Sequence, residues 1–165
     1  RRAQGIDNRP VEPERETKSI SKETTFTQDV NDEAELKHVL RQLAEGVGRR
    51  LRQSHLAGTT VQIKLRWSDF TTITRQTTLA QPTQDNAQIT EVALHLFEQH
   101  WPKKRPVRLI GVGISNFDDP KRQLELWETD TTKRNRKLQG TLDELRERFG
   151  DKTVQRGVDL KRRHD

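Results

Sequence analysis

The stretch Thr59–Leu79, TTVQIKLRWSDFTTITRQTTL, constrains the fold more than any other part of the chain. Val61, Ile63, Leu65 and Trp67 alternate with Gln62, Lys64, Arg66 and Ser68, the two-residue period of a strand with one buried face. Ser68-Asp69 supplies a tight polar turn, and a threonine-rich strand over Phe70–Leu79 returns beside the first. One face of this hairpin is apolar and must meet a core. The other carries Lys64 and Arg66, and the returning strand adds hydroxyls and Arg75. A face of cations and hydroxyls suits a polyphosphate backbone, although a merely solvated sheet is the commoner use of such a pattern.

The flanking segments supply a core for the apolar face. Asn31–Ser54 reads as a helix: Asp32 and Glu35 fit a capped start, and Leu36, Val39, Leu40, Leu43, Val47 and Leu51 form one stripe at helical spacing. A second helix follows the loop Gln81–Asn86, with Ile89, Val92, Ala93, Leu96 and Phe97 on one face and an end near Trp101-Pro102. Upstream, Lys18–Phe26 is a short β-prone segment in which Ile20 and Phe26 share one parity and Ser19, Ser21 and Thr25 the other. Downstream, Val107–Phe117 is almost continuously apolar and carries two glycines, as a central strand packed closely by helices would. The order is β-α-β-β-α-β over residues 18–117. This predicts an α+β fold, a four-stranded sheet with two helices on one face and the other face open.

Composition agrees with a basic binding module at the centre of a longer, polar chain. The 165 residues are 29% hydrophobic and 34% charged, with a net charge of +6, a mean hydropathy of −1.04 and a pI near 9.9. That is too polar for every residue to join a compact fold, so flexible ends are expected. Within the four expected strands the cations are Lys18, Lys22, Lys64, Arg66, Arg75 and Arg108, and the acid is Glu23. This imbalance favours an anionic ligand on the open face. Aromatic residues at outward stacking positions are missing, so phosphate tracking along a duplex fits better than stacking on single-stranded bases.

Catalytic chemistry finds no purchase. The chain has no cysteine, which excludes disulfides and thiolate metal sites, and its five histidines show no ligand spacing. Asp118-Asp119 lacks a third carboxylate nearby, and Gly111-Val112-Gly113 imitates a dinucleotide fingerprint from inside a strand. No Ser/His/Asp arrangement has the right setting. No apolar run reaches membrane-spanning length, and no signal peptide opens the chain, which points to a cytoplasmic protein without a membrane partner.

The ends divide the chain. Residues 1–17, with Gly5, Pro10 and Pro13, read as a linker from a preceding domain that is missing here. Residues 118–128 form a linker around the apolar island Gln123-Leu124-Glu125-Leu126-Trp127, either an edge strand or a peptide that inserts Leu126 and Trp127 into a partner's pocket. Residues 129–165 read as a polar, basic extension in which Thr141 and Glu144 cap a small helix carrying Leu142, Leu145 and Phe149, stopped by Gly150.

Several blocks in order, KSISKETTF, RLR, VQIKLRWSDFTTITRQTTL and VRLIGVGISNF, closely resemble the little-finger domain of the Y-family DNA polymerases, and among these the bacterial DNA polymerase IV (DinB-type) branch. The resemblance covers roughly residues 5–127. It implies a translesion polymerase whose little finger lies in the major groove and grips the template and primer backbones. Carried onto this sequence, it implies DNA contacts from Ser19 and Ser21 with their amides, Thr25, Lys64, Arg66, Thr72, Thr74, Arg75 and Arg108. Strict alternation sets Arg75 beside Ile73 on the core side, so its place in that set requires a bulge. QLELW resembles the bacterial sliding-clamp-binding pentapeptide, with Gln123, Leu124, Leu126 and Trp127 as contacts and Trp127 in place of the usual Phe. TLDELRERFGDKTVQRG resembles an extension found in some members. The implied partners are duplex primer-template DNA and the β sliding clamp, bound by a monomeric fragment. Magnesium and deoxynucleotides are implied for the parent polymerase, whose catalytic carboxylates lie in a palm domain before Arg1, so the fragment alone should be inactive. Two rival readings are an RNA-binding α/β module, which needs Phe26, Phe70 and Trp67 to point outward against the parity of Phe26 and Trp67 with Ile20, Ile63 and Leu65, and an adaptor that uses only QLELW.

Overall fold

The computed structural model describes residues 17–118 and 130–150. Its elements are β1 (Ser19–Val30), α1 (Glu33–Gln53), β2 (Ala57–Trp67), β3 (Thr72–Thr83), α2 (Asn86–His100), β4 (Val107–Asp118) and α3 (Asp130–Phe149). The four strands form one sheet in the order β1-β4-β2-β3, with every neighbouring pair antiparallel. The expected β-α-β-β-α-β order and α+β class are what is observed.

Local chemistry accounts for the helix starts. Asp32 caps α1, its Oδ1 accepting the Glu35 amide at 2.7 Å, and Asp85 caps α2 by accepting the Ala87 amide at 2.7 Å. Glu33 and Glu35 in the first turn of α1, and Arg50 and Arg52 in its last, complement the helix dipole. Leu36, Leu40, Ala44, Val47 and Leu51 of α1, with Ile89, Ala93 and Phe97 of α2, are buried against Val61, Ile63 and Leu65 of β2 and Ile110, Val112 and Ile114 of β4. Each large side chain so buried contributes about 1.5–3 kcal/mol. Val39 and Leu43 lie on the flank of this stripe and are only partly buried, because the helix presents Leu40 and Ala44 to the sheet instead.

The buried end of the core is closed by Trp101, whose ring stacks on Phe97 at 5.1 Å and whose indole N–H donates to the Arg105 carbonyl at 2.9 Å. An indole N–H taken from water needs such a partner.

Three elements run further than their sequence suggests. β1 continues past Phe26 to Val30 through an irregularity in its pairing with β4. β3 continues past Leu79 to Thr83 and includes Pro82, which an edge strand tolerates because the missing amide would not be paired there. α3 covers Asp130–Phe149 where a short helix from Thr141 was expected, because Gly140 costs a helix interior only about 1 kcal/mol and the capping signal at Thr141 does not stop it. Gly150, at φ 91°, ends it.

α3 docks on the outer side of α1 through polar contacts. Arg52 is the hub: its Nε donates to Asp143 at 2.7 Å, and its Nη1 donates to the Gln84 carbonyl, Asn86 Oδ1 and Gln139 Oε1 at 3.0, 2.9 and 3.1 Å. Gln139 also donates to Asp85 at 2.8 Å, and Arg146 pairs with Glu45 at 2.9 Å. Leu138, Leu145 and Phe149 stay exposed. The helix is held by its polar side.

Candidate nucleic-acid interface

Both helices of the core lie on one side of the sheet, and among the described residues nothing packs over the other. Strand register sorts the side chains of that open face into four rows. They are Thr25–Leu109–Arg66–Thr72, Glu23–Gly111–Lys64–Thr74, Ser21–Gly113–Gln62–Gln76 and Ser19–Ser115–Thr60–Thr78, read across β1, β4, β2 and β3. Seven of the residues singled out from sequence, Ser19, Ser21, Thr25, Lys64, Arg66, Thr72 and Thr74, therefore share one surface. Gln62 and Gln76 belong there too. Sequence reasoning passed over them, although they keep step with Lys64 and Thr74 in the same alternation.

The middle of this surface is bare backbone. Gly111 and Gly113 floor an open depression of about 150 Å³ rimmed by Ser21, Glu23, Gln62 and Lys64. A Cβ at Gly113 would stand 2.8 Å from Gln62 Nε2 and 3.1 Å from Ser21 Cβ, so any side chain there would fill the trough. The two glycines let a ligand approach the sheet's own amides closely.

Charge on the face is more nearly balanced than the strand count implied. Lys22 shares the parity of Ile20 and crosses to α1, where Gly46 makes room for its stem. Arg75 pairs with Ile63 and so points to the helix side, its Nη1 donating to the Thr74 carbonyl at 2.9 Å. No bulge near Thr74 returns it to the open face, and Arg75 drops out of the surface. Asp29, in the unexpected part of β1, adds an acid. What remains on the open face is Lys64, 2.9 Å from Glu23, and Arg66, whose Nε donates to Thr72 Oγ1 at 2.9 Å.

Arg108 sits at the end of this surface. Pairing runs Arg66↔Leu109 and then Trp67↔Val107, which makes Arg108 the extra residue of a bulge on β4. Its guanidinium lies 4.8 Å from the centroid of the Phe70 ring and 3.7 Å from Asp29. Arg105 is placed alike, 4.6 Å above the Trp67 ring and 3.1 Å from Asp69. The turn that carries these rings closes by a 3.0 Å bond from the Phe70 amide to the Trp67 carbonyl. The Thr71 amide, 3.0 Å from Asp69 Oδ1, acts with the Arg105 guanidinium to hold the Asp69 carboxyl below the usual aspartate range. Phe70 itself stands at φ 64°, a left-handed conformation that costs a non-glycine residue about 1–2 kcal/mol.

The four residues expected to contact a clamp, Gln123, Leu124, Leu126 and Trp127, lie outside the described residues, as do the leading linker and the last part of the extension. Among the described residues no group of three or more histidine, cysteine or carboxylate side chains is placed to hold a metal ion. No helix of the described residues is long and apolar enough to cross a membrane.

Residues 17–126 match the family model described as the impB/mucB/samB family C-terminal domain. The chain belongs to this family. The impB/mucB/samB C-terminal domain is the little finger that the sequence blocks resemble, and relatives of known name agree. DNA polymerase IV of Dehalococcoides mccartyi (strain CBDB1) is 45% identical over 157 residues, 94% of this chain and 40% of that protein. DNA polymerase IV 1 of Bacillus subtilis (strain 168) is 35% identical over 166 residues, 98% of this chain and 40% of its own length. The chain thus spans about 40% of the length of these relatives. A solved structure, the complex of beta-clamp processivity factor and little finger domain of PolIV, matches 68% of this chain and 97% of its own with a TM-score of 0.51 at 22% identity. At that identity the likeness speaks for the fold of the impB/mucB/samB C-terminal domain.

Proposed function

We propose that this chain is the DNA-gripping domain of a translesion DNA polymerase and that it lays its open sheet face along the backbones of duplex primer-template DNA. The observation that carries the reading is the four-row surface, with hydroxyls, amides and glutamines around Lys64 and Arg66 and a bare glycine trough at its centre. Such groups bind phosphate and sugar without reading bases, which suits an enzyme that must work on any damaged template. Polymerisation, with magnesium and deoxynucleotides, belongs in this reading to the rest of the parent protein, and the compartment is the bacterial cytoplasm. An RNA-binding sheet, which needs two or three stacking aromatics on its strands, is disfavoured because Trp67 is buried in the core and Phe26 keeps the parity of Ile20, leaving only Phe70, exposed in the hairpin turn outside the strands.

The test is a fluorescence titration of the chain with duplex DNA at several salt concentrations. If Lys64, Arg66 and Arg108 each neutralise one phosphate, log K falls against log[salt] by about 0.9 per phosphate, about 2.7 in all. Replacing Lys64 and Arg66 with Ala flattens that slope by about two units and leaves sequence preference unchanged. An unchanged slope removes these residues from the interface.

The same reading gives Gln123–Trp127 to the bacterial sliding clamp, with Leu126 and Trp127 filling an apolar pocket and Gln123 bonded at its rim. A peptide with so few anchors must be ordered on binding, so micromolar affinity is expected. Calorimetry of clamp against a synthetic peptide spanning these residues checks it, and no heat at high micromolar peptide sinks the clamp assignment while leaving the DNA face untouched.

A further inference from the structure

We propose that the Phe70 ring, at the tip of the β2–β3 hairpin, is a stacking platform for an unpaired nucleotide beside the duplex. This rests on the duplex-binding reading above and adds a single-stranded contact to it.

The hairpin's own chemistry makes Phe70 conspicuous. The Phe70 amide bonds the Trp67 carbonyl at 3.0 Å and the Trp67 amide bonds the Thr71 carbonyl at 2.9 Å, so a turn over Trp67–Phe70 ends on a left-handed residue before the strand resumes. Hairpins of this type place glycine at that position, because a side chain there meets the following carbonyl. A bulky aromatic is a genuine exception. Packing in the core gives no compensation, since 64% of Phe70 is exposed, more than any other large hydrophobic side chain between the start of β1 and the end of β4. A strained residue that adds nothing to the core is a mark of function.

Its surroundings say what the ring meets. The Arg108 guanidinium lies over the ring, 4.8 Å from its centroid. Thr72 Oγ1 donates to the Phe70 carbonyl at 3.5 Å and accepts from Arg66 Nε at 2.9 Å, which ties the turn to the first row of the open face. A flat apolar ring with the Arg108 guanidinium over it, joined through Thr72 to Arg66 and a surface of hydroxyls, fits a partner that is planar and anionic at once. A base with its phosphate has that chemistry; phosphate alone would be met as well by a lysine, and an apolar protein segment would gain nothing from these cations.

The experiment compares one duplex with and without a short single-stranded extension, bound by the full chain and followed by anisotropy. Wild type is expected to favour the extended DNA. Phe70→Gly relieves the backbone, so its melting temperature should equal or exceed that of wild type. It should also lose about 5- to 150-fold on the extended DNA, the equivalent of one stacked base, and stay within about twofold on the blunt duplex. Phe70→Trp should keep the preference. Equal binding of blunt and extended DNA by wild type overturns the proposal, as does a preference that survives in Phe70→Gly. Failure of the duplex reading would show separately, as blunt-duplex binding whose salt slope Lys64→Ala and Arg66→Ala do not change.

Discussion

The Lys64 ammonium reaches the Glu23 carboxylate, 2.9 Å away, across the backbone of Gly111, the residue that faces both in the register of the sheet. Two strands that do not touch are thereby joined by an ion pair that a side chain at position 111 would obstruct. The pair also means that the main lysine of the face is already engaged before any ligand arrives.

Replacing Glu23 with Gln should therefore strengthen DNA binding. Both side chains are well exposed, so the pair contributes at most about 1 kcal/mol to stability and the variant should melt near wild type. Freed of its partner, Lys64 offers one more full charge to phosphate, and the slope of log K against log[salt] should steepen by up to about 0.9. Titrations of both proteins at low and moderate salt measure it; a weaker complex would mean that Glu23 positions Lys64 and does not compete for it.

Gly113→Val tests the trough. Valine suits a central strand, yet here it must push Gln62 aside and crowd Ser21, at a cost of about 1–3 kcal/mol. Its larger effect should be on binding, because the filled trough holds the backbone of the ligand away from the rows on either side. Weaker binding together with a shallower salt slope is the expected pair of results, read by titration and by a thermal melt.

Asp143→Ala should release α3 without unfolding the sheet. It leaves the Arg52 guanidinium, whose side chain is 10% exposed, without its carboxylate. Breaking such a pair costs several kcal/mol in a rigid interior. Here the loss is limited to the docking free energy of α3, since the helix can leave and let water reach Arg52. Hydrogen exchange should show lost protection over residues 137–149 and undiminished protection in β2 and β4. Lost protection throughout would make α3 part of the core unit.

The turn at Asp69 gives a pH signature. Asp69 is held below its ordinary value of 3.8 in the folded chain, chiefly by the Thr71 amide, so it binds a proton less readily there than when unfolded. Its contribution is therefore complete above that value and is lost as the pH falls below it. Asp69→Ala should melt lower than wild type at neutral pH, and the gap should close on acidification past the ordinary aspartate range. Melts across pH 2–7 (roughly the carboxylate range) check the sign.

Much of this fold was legible in periodicity. The alternation of Val61, Ile63, Leu65 and Trp67, the cap at Asp32 and the paired glycines of β4 each specify a local answer that tertiary packing reinforces. Lys22 and Arg75 were counted with the binding face because they lie in strands, although their parity with Ile20 and Ile73 already set them on the core side, where their register partners Val112 and Ile63 also put them. What escaped was decided between elements. Arg108 changes its role through a single extra residue, which no hydropathy pattern marks. α3 was undervalued because its attachment is polar. Gln139, Asp143 and Arg146 read as a solvated helix face until Arg52, Asp85 and Glu45 are seen opposite them.

The place of β4 has a consequence for how the molecule comes into being. β1 and the β2–β3 hairpin share no backbone ladder; each pairs only with β4, which comes after both of them in the chain. As the polypeptide emerges, the hairpin and α1 can assemble locally, but β1 must wait beside an empty slot. The slowest contacts to form, between segments far apart in sequence, are thus also the ones that create the binding surface, because every row of it crosses β4. A chain that ends before β4 therefore lacks every complete row of the open face, however well its hairpin has formed.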